Sequence, residues 1–372
     1  MAGPIKRLER RGRALLIRVL ARFLSEKPAD PPEWDARPWR ALYLRYDRIG
    51  DMILSSGLFR ALVTAHPTIS LDVLASPANR PVLDVNPYVR DTITLDKWDR
   101  LGIPRFFREL RRRGYDIVID PMISKPSLNA TLMMLATGAP YRVGLGGRSN
   151  AFIYTLPVVA ADPREHHIVQ EAVMLEPFGI DPSSIDLHPE IFVHDDARKA
   201  ADEVWRRADA ETVPAGDATA ERARLLVNVS THHETRLWPE DRFAEVIRNV
   251  RRAGNVDPVA LIGLPRDRAR IERIARATGA HAVPTPRLID ALALVATSDL
   301  VFTPDTSIAH AASAFRKPSV VMIGPHRADF EPYGDQARIL NATTDDFKSV
   351  HAEHVVAALG EAFAEWHEAR SG

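Results

Sequence analysis

Residues 40–65, RALYLRYDRIGDMILSSGLFRALVTA, change period midway. Arg40–Tyr46 is a short apolar run of strand type, whereas Met52–Ala65 puts Leu54, Leu58, Leu62 and Ala65 on one face of a helix. Strand, short loop and amphipathic helix make the unit from which parallel sheets are built. The unit recurs. Strands are expected at Ser70–Leu74, Thr92–Leu95, Tyr115–Asp120 and Tyr141–Leu145, and helices at Ile103–Arg113 and His166–Phe178, the last closed by Gly179. A second series begins after about residue 190. It runs helix Asp195–Ala208, strand Arg224–Val229, helix Pro239–Arg252 with Pro in its first turn, and strand Asp257–Ile262. Helices Asp267–Thr278 and Leu288–Ala296, strand Leu300–Thr303, helix Ser307–Phe315, strand Ser319–Ile323 and helix Asp346–Glu368 follow, and Gly216–Glu221 loops out. The expected fold class is α/β, with two doubly wound domains in tandem at 40–190 and 191–345, and a C-terminal helix within 346–372.

Composition narrows the function. A chain of 372 residues exceeds one comfortable core. Lys plus Arg equals Asp plus Glu at 49 each, which argues against a dedicated nucleic-acid binder. The absence of cysteine removes disulfides, thiolate nucleophiles and cysteine-based metal sites. No apolar run reaches the ~18 residues of a membrane span. Charge is uneven, however. Residues 1–27 carry eight Lys or Arg against Glu9 and Glu26. Leu8, Leu15, Leu16, Val19, Leu20, Phe23 and Leu24 recur there at helical spacing. The segment reads either as a basic amphipathic helix resting on an anionic membrane through residues 5–24 or as a solvated helix packed on its own domain. Arg18 and Arg22 interrupt any signal-peptide core. The four prolines of residues 25–39 suggest a linker.

Ligands of open parallel sheets bind beyond the carboxyl ends of the strands, so three loops carry the chemistry. In Tyr46-Asp47-Arg48-Ile49-Gly50-Asp51, Gly50 permits a tight turn and Asp51 is either the N-cap of the next helix or a catalytic carboxylate; spacing alone favours the cap. The loop is not G-x-G-x-x-G, which gives a nicotinamide site little support. Asn228-Val229-Ser230-Thr231-His232-His233-Glu234-Thr235-Arg236-Leu237-Trp238-Pro239 offers hydroxyls, amides and a guanidinium to an anion, while its His-His-Glu trio is weak support for a metal. In Thr303-Pro304-Asp305-Thr306-Ser307-Ile308-Ala309-His310, the amides of Thr306 and Ser307 suit a phosphate; a plain capped helix with a buried His310 is the alternative.

Together, in this order and spacing, the three loops resemble the bacterial heptosyltransferases of glycosyltransferase family 9. The first resembles that family's Ile/Met-Gly-Asp after the first strand. The second resembles its donor-phosphate loop, with a basic residue two before Trp238-Pro239. Asp305-Thr306-Ser307-Ile308-Ala309-His310 is similar to its Asp-Thr-Gly-x-x-His motif. Lys317-Pro318, Gly324-Pro325 and the stretch from His167-Ile168-Val169 to Phe178-Gly179-Ile180 also fit, so the likeness spans roughly residues 40–340. The chain departs from the family in having Arg236 for Lys, Ser307 for Gly, and no Gly in Ser230-Thr231-His232.

The resemblance implies a GT-B architecture, two Rossmann-like domains facing a cleft, with the acceptor on the first and the donor on the second. It implies inverting, metal-independent transfer of a sugar, typically heptose from ADP-heptose, to a lipopolysaccharide core or related glycolipid, with no cofactor beyond the nucleotide sugar. Asp51 would be the base, with Asp47 as competitor and Arg48 and Gly50 beside it on the acceptor-side loop. Ser230, Thr231, His232, Arg236, Thr306 and Ser307 would meet the diphosphate, Asp305 sugar or ribose hydroxyls, and Asp267 the ribose, while His310 supports its loop or touches phosphate. Pro284–Arg287 would line the base pocket. Lys97, Arg100, Arg105, Arg108 and Arg111–Arg113 form a second basic run, either facing an anionic acceptor or solvated. The expected location is the cytoplasm, peripheral on the inner face of the inner membrane. The alternatives are a GT-B transferase or epimerase using another nucleotide sugar, and an inactive membrane-associated scaffold of the same fold.

Overall fold

The computed structural model describes residues 4–24, 26–95, 102–123, 126–211, 222–232, 234–325, 328–344 and 346–371. Lys97, Arg100, His233 and the expected loop at residues 216–221 lie outside them. The chain divides after Leu187 into two units.

In the first unit six strands pair in parallel: β1 (Trp39–Leu44), β2 (Ile69–Ala75), β3 (Asp91–Thr94), β4 (Ile117–Ile119), β5 (Tyr141–Leu145) and β6 (Leu156–Val158), in the order β3-β2-β1-β4-β5-β6. The second repeats the plan with β7 (Ala223–Asn228), β8 (Val256–Ile262), β9 (His281–Ala282), β10 (Leu300–Pro304), β11 (Ser319–Ile323) and β12 (Ala337–Asn341), ordered β9-β8-β7-β10-β11-β12. Both are Rossmann orders, and tandem units of this kind are what GT-B requires. Central strands read as continuous apolar runs because helices cover both faces: β10 and β11 are buried at every position. The strand order reverses between β1 and β4 and between β7 and β10, which is where such sheets open a crevice beyond their strand ends. Among the described residues, no helix is long and apolar enough to cross a membrane.

Residues 26–38 are not a free linker. Glu26 and Ala29 donate backbone hydrogen bonds to Phe152 and Thr155, and Glu26 pairs with Arg142. Trp34 is buried against Trp39, Tyr141 and Phe178, and its indole N–H donates to Pro177 O at 2.9 Å. The preceding helix, Pro4–Phe23, rests on helix Leu128–Thr137 and buries Ile17, while Leu15 (62%) and Phe23 (76%) stay exposed together with Leu16, Val19 and Leu24.

Several boundaries move. The helix expected from Met52 starts at Ile49. Pro239 stands just before the helix Glu240–Arg252, as its N-cap residue. The segment after Ala172 tightens to a 3₁₀ helix, Val173–Phe178, and ends as expected at Gly179 with φ 70°. The last helix begins at Ala352, because Asp346 turns the chain by accepting from Thr344 Oγ1 and Lys348 N. Replacing Trp34 by Ala should lower the stability of the first unit by about 3–5 kcal/mol, the range for a large buried aromatic, read as a lower urea midpoint. A loose linker would leave it unchanged.

Candidate functional site

The first crevice is built on the loop after β1. The helix Ile49–Ala65 takes Arg48 as its N-cap residue with no side-chain cap, so Asp51 lies in the first turn and caps nothing; the N-cap reading is overturned. Gly50 is helical and makes no tight turn. The loop is held instead by Asn79 Nδ2, which donates to the Arg45 carbonyl at 3.0 Å and the Arg48 carbonyl at 3.4 Å.

Asp51 is 3% exposed. Arg48 reaches both its oxygens, Nε to Oδ2 at 2.8 Å and a terminal nitrogen to Oδ1 at 3.3 Å. Beneath it lies a buried charge network. Arg45 (1% exposed) pairs with Glu171 (0%) and with Asp47 Oδ2 at 3.1 Å. Glu171 Oε1 accepts from the Tyr43 and Ser55 hydroxyls, both at 2.6 Å. His167 Nε2 lies 3.9 Å from Asp51 Oδ1 and 4.0 Å from Glu171 Oε2. Ser55 and Glu171 reach this cluster because each sits one turn along its helix, from Asp51 and His167 respectively.

Burial pushes the Asp51 carboxyl up, but the charges of Arg45 and Arg48, the Arg48 hydrogen bonds and His167 together hold it below the usual range. Asp47, whose burial outweighs its Arg45 partner, is raised. Burial, and then Arg45, lower His167 to about 4, so its imidazole is neutral at pH 7. Next to β1, the end of β4 supplies Asp120, also buried, which accepts from the Tyr154 hydroxyl at 2.7 Å and is raised by burial. The sequence reading gave no site role to Arg45, Asp120, His167 or Glu171. Three of the four are charged residues in or beside apolar runs, and that is the signal that could have found them.

The second crevice lies between the ends of β7 and β10. Arg236, from a short 3₁₀ turn, pairs with Asp305 at 3.2 Å; both are mostly buried. Asp305 N donates to Met322 O at 2.8 Å, fixing the loop on β11. Thr306 is the N-cap of helix Ser307–Ala314, accepting from Ile308 N, and its hydroxyl also accepts from Asn228 Nδ2 at 3.1 Å. Ser307 starts the helix and His310 is buried one turn in. Ser230 and Thr231 are buried, and His232 is exposed. Ser230 Oγ accepts from Leu264 N at 3.0 Å. A Cβ on Gly263 would stand 2.2 Å from that oxygen, so glycine is needed there. Arg266 donates to the carbonyls of Thr231 and His232 at 2.8 and 3.0 Å, stapling the loop. Beside Arg266, Asp267 lies at the end of the same loop as the N-cap residue of the following helix.

So Ser230, Thr231, Arg236, Asp305, Thr306 and Ser307 lie on the two loops at one crevice, and Asp267 on the neighbouring loop. Asp47, Arg48, Gly50 and Asp51 gather at the other. Of the second basic run, Arg112 and Arg113 pair with Glu109, and Arg113 also with Asp91, whereas Arg105 and Arg108 are exposed. Among the described residues no three His, Asp or Glu side chains converge to hold a metal ion.

Residues 103–358 match the family model described as glycosyltransferase family 9 (heptosyltransferase). The lipopolysaccharide heptosyltransferase 2 of Salmonella typhimurium is 22% identical over 80% of this chain and 86% of its own. A family 9 glycosyl transferase from Veillonella parvula superposes with a TM-score of 0.77 at 19% identity, over 91% of this chain and 100% of its own. The E. coli ADP-heptose lipopolysaccharide heptosyltransferase II gives 0.67 at 20% identity, over 88% and 99%.

Two measurements test the first network. Glu171→Ala takes from the buried Arg45 guanidinium its fully buried counter-ion, leaving only Asp47, and should destabilise by about 3 kcal/mol, with Glu171→Gln losing less. His167 and Asp51 both titrate lower folded than unfolded, so each stabilises above its unfolded pKa and that stability drains as pH falls. For His167 the window is pH 6.5 down to about 4. The urea midpoint should therefore fall between pH 7.5 and 4.5, and fall less in His167→Gln.

Proposed function

Because the chain belongs to glycosyltransferase family 9, we propose that it transfers heptose from ADP-heptose to a lipopolysaccharide core or related glycolipid, inverting the anomeric centre without a metal ion. The observation that carries this reading is the Arg236–Asp305 pair beside the N-terminus of helix Ser307–Ala314 at the β7/β10 crevice. A guanidinium and free helix amides are the groups that receive a diphosphate's charge, and a carboxylate beside them takes sugar hydroxyls. The relatives' own names point to heptose, and one to ADP-heptose.

In this reaction Asp51 takes the proton from an acceptor hydroxyl as its oxygen attacks the anomeric carbon, opposite the diphosphate. The bond from that carbon to the diphosphate oxygen breaks. Arg236 exchanges Asp305 for the leaving phosphate, with Thr231, Thr306 and Ser307 around it. Ser230 and His232 shape the loop through the contacts to Leu264 and Arg266. Asp305 is freed for donor hydroxyls, Asp267 takes the ribose, and His310 supports the loop. Arg236 does the work of the family's lysine, with two nitrogens available instead of one.

The acceptor is a lipid at the inner face of the inner membrane, and helix Pro4–Phe23 is suited to meet it. Leu15, Leu16, Val19, Phe23 and Leu24 are exposed beside Arg18 and Arg22, the chemistry that binds an anionic bilayer.

By calorimetry, ADP should bind in preference to UDP, GDP and CMP. Arg236→Ala should weaken ADP by about tenfold, less than the full worth of a charged hydrogen-bonded pair because Arg236 gives up Asp305 on binding. Asp51→Asn should slow transfer ~10²–10⁴-fold with ADP affinity unchanged. No nucleotide binding at all would sink the transferase reading. The protein should cosediment with phosphatidylserine vesicles and Leu15→Glu with Phe23→Glu should abolish it; no wild-type binding, or binding unchanged in the variant, would remove the helix from membrane contact.

A further inference from the structure

The first crevice holds a buried imidazole that the reaction above leaves idle. His167 opens the helix His167–Ala172, and its Nε2 lies about equally far from Asp51 Oδ1 and Glu171 Oε2. The two sides of Asp51 differ. Toward solvent, Arg48 (63% exposed) holds both carboxylate oxygens. An acceptor hydroxyl reaches a lone pair of Asp51 only by displacing part of that clamp, and a carboxylate so released is free to rotate unless something else keeps it. Toward the core stands His167. Its own freedom is small, because it is buried and because Glu171, on the same helix face, is locked by Tyr43, Ser55 and Arg45.

We propose that His167 is a positioning residue for the transfer: it holds the Asp51 carboxylate from the core side, so that the acceptor hydroxyl displaces Arg48 without the base losing its aim. The separation of 3.9 Å is longer than a hydrogen bond, and a small rotation of either side chain closes it as the clamp opens. Glu171 Oε2 lies 4.0 Å from the same Nε2, so it limits the ring by packing against it, and the nitrogen serves Asp51. The proposal rests on Asp51 being the base.

The test compares His167→Ala with His167→Gln, whose amide keeps a donor within similar reach, in the full-length enzyme. The groups facing Asp51 from its own loop are Arg45, Asp47 and Arg48. From the helix packed against it they are His167 and Glu171, with His166 beside them and Tyr43 behind Glu171. Protonated His167 is one of the groups that lower Asp51, so its removal raises the base's pKa and moves the acid limb of kcat/KM to higher pH. His167→Ala should reduce kcat ~10–100-fold, the effect of a misaimed reacting group, with the KM for the sugar donor unchanged. His167→Gln should recover most of kcat. A purely structural histidine would lower the urea midpoint without moving the acid limb.

Two results overturn the proposal. One is His167→Ala with wild-type kcat and acid limb. The other is His167→Gln as slow as His167→Ala, with the limb unmoved in both. Asp51→Asn separates the two layers. If it turns over at the wild-type rate, the base reading fails and this proposal with it. If it is inactive while His167→Ala behaves as wild type, only the positioning role fails. ADP affinity and the urea midpoint of His167→Gln report whether the variant is folded.

Discussion

The buried ion pair between Arg45 and Glu171 is the constraint on which the first unit is organised. It joins the end of β1 to the helix His167–Ala172, and through Ser55 it reaches the helix that carries Asp51. Two desolvated charges are a poor way to gain stability, since well-packed apolar residues of the same size often do better. What the pair supplies is position. Glu171 accepts from Tyr43 and Ser55 on Oε1 and is ion-paired with Arg45 through Oε2, which leaves little rotational freedom to anything resting on it. Asp51, a charged group in the same pocket, stays ionised there because two guanidiniums face it.

The second unit meets the same topological problem, a loop emerging where strand order reverses, by apolar means. Trp238 is fully buried, its ring within 4.9 Å of Phe243 and 5.7 Å of Phe302, and its N–H donates to Val350 O at 3.0 Å. That anchor fixes the chain two residues after Arg236. At the other end Ser230 and Arg266 tie the loop to the segment after β8. The guanidinium is thus carried by a strap secured at both ends, on a core of aromatic rings where the first unit uses charges.

Most of the architecture was legible because strands buried on both faces announce themselves. Tyr141–Leu145 and Ser319–Ile323 agree with the expected limits residue for residue. Strands that escaped notice, Leu156–Val158, His281–Ala282 and Ala337–Asn341, are short or only partly buried edges, where neither period nor composition has room to show. Helix Leu128–Thr137 was missed because LNATLMMLAT is apolar nearly all round. In the site, the loops were legible through their chemistry, but their partners were not. Glu171 and His167 lie more than a hundred residues from Asp51, and no local pattern says which carboxylate a distant fold will bury beside which cation. Spacing alone favoured a cap at Asp51 over a catalytic carboxylate, and a turn at Gly50, because the helix begins one turn sooner than its apolar pattern shows.

The Arg236–Asp305 contact has a thermodynamic side. With no nucleotide present, the guanidinium already has a carboxylate, so in the proposed reaction diphosphate binding there would be an exchange of anions and not the capture of one by a bare cation. The net gain would be the difference between two ion pairs. That difference would cap how tightly the spent nucleotide is retained, because the displaced carboxylate would return as the phosphate leaves. An internal anion of this kind would trade some donor affinity for faster product release, and it keeps a buried cation compensated when the crevice is empty.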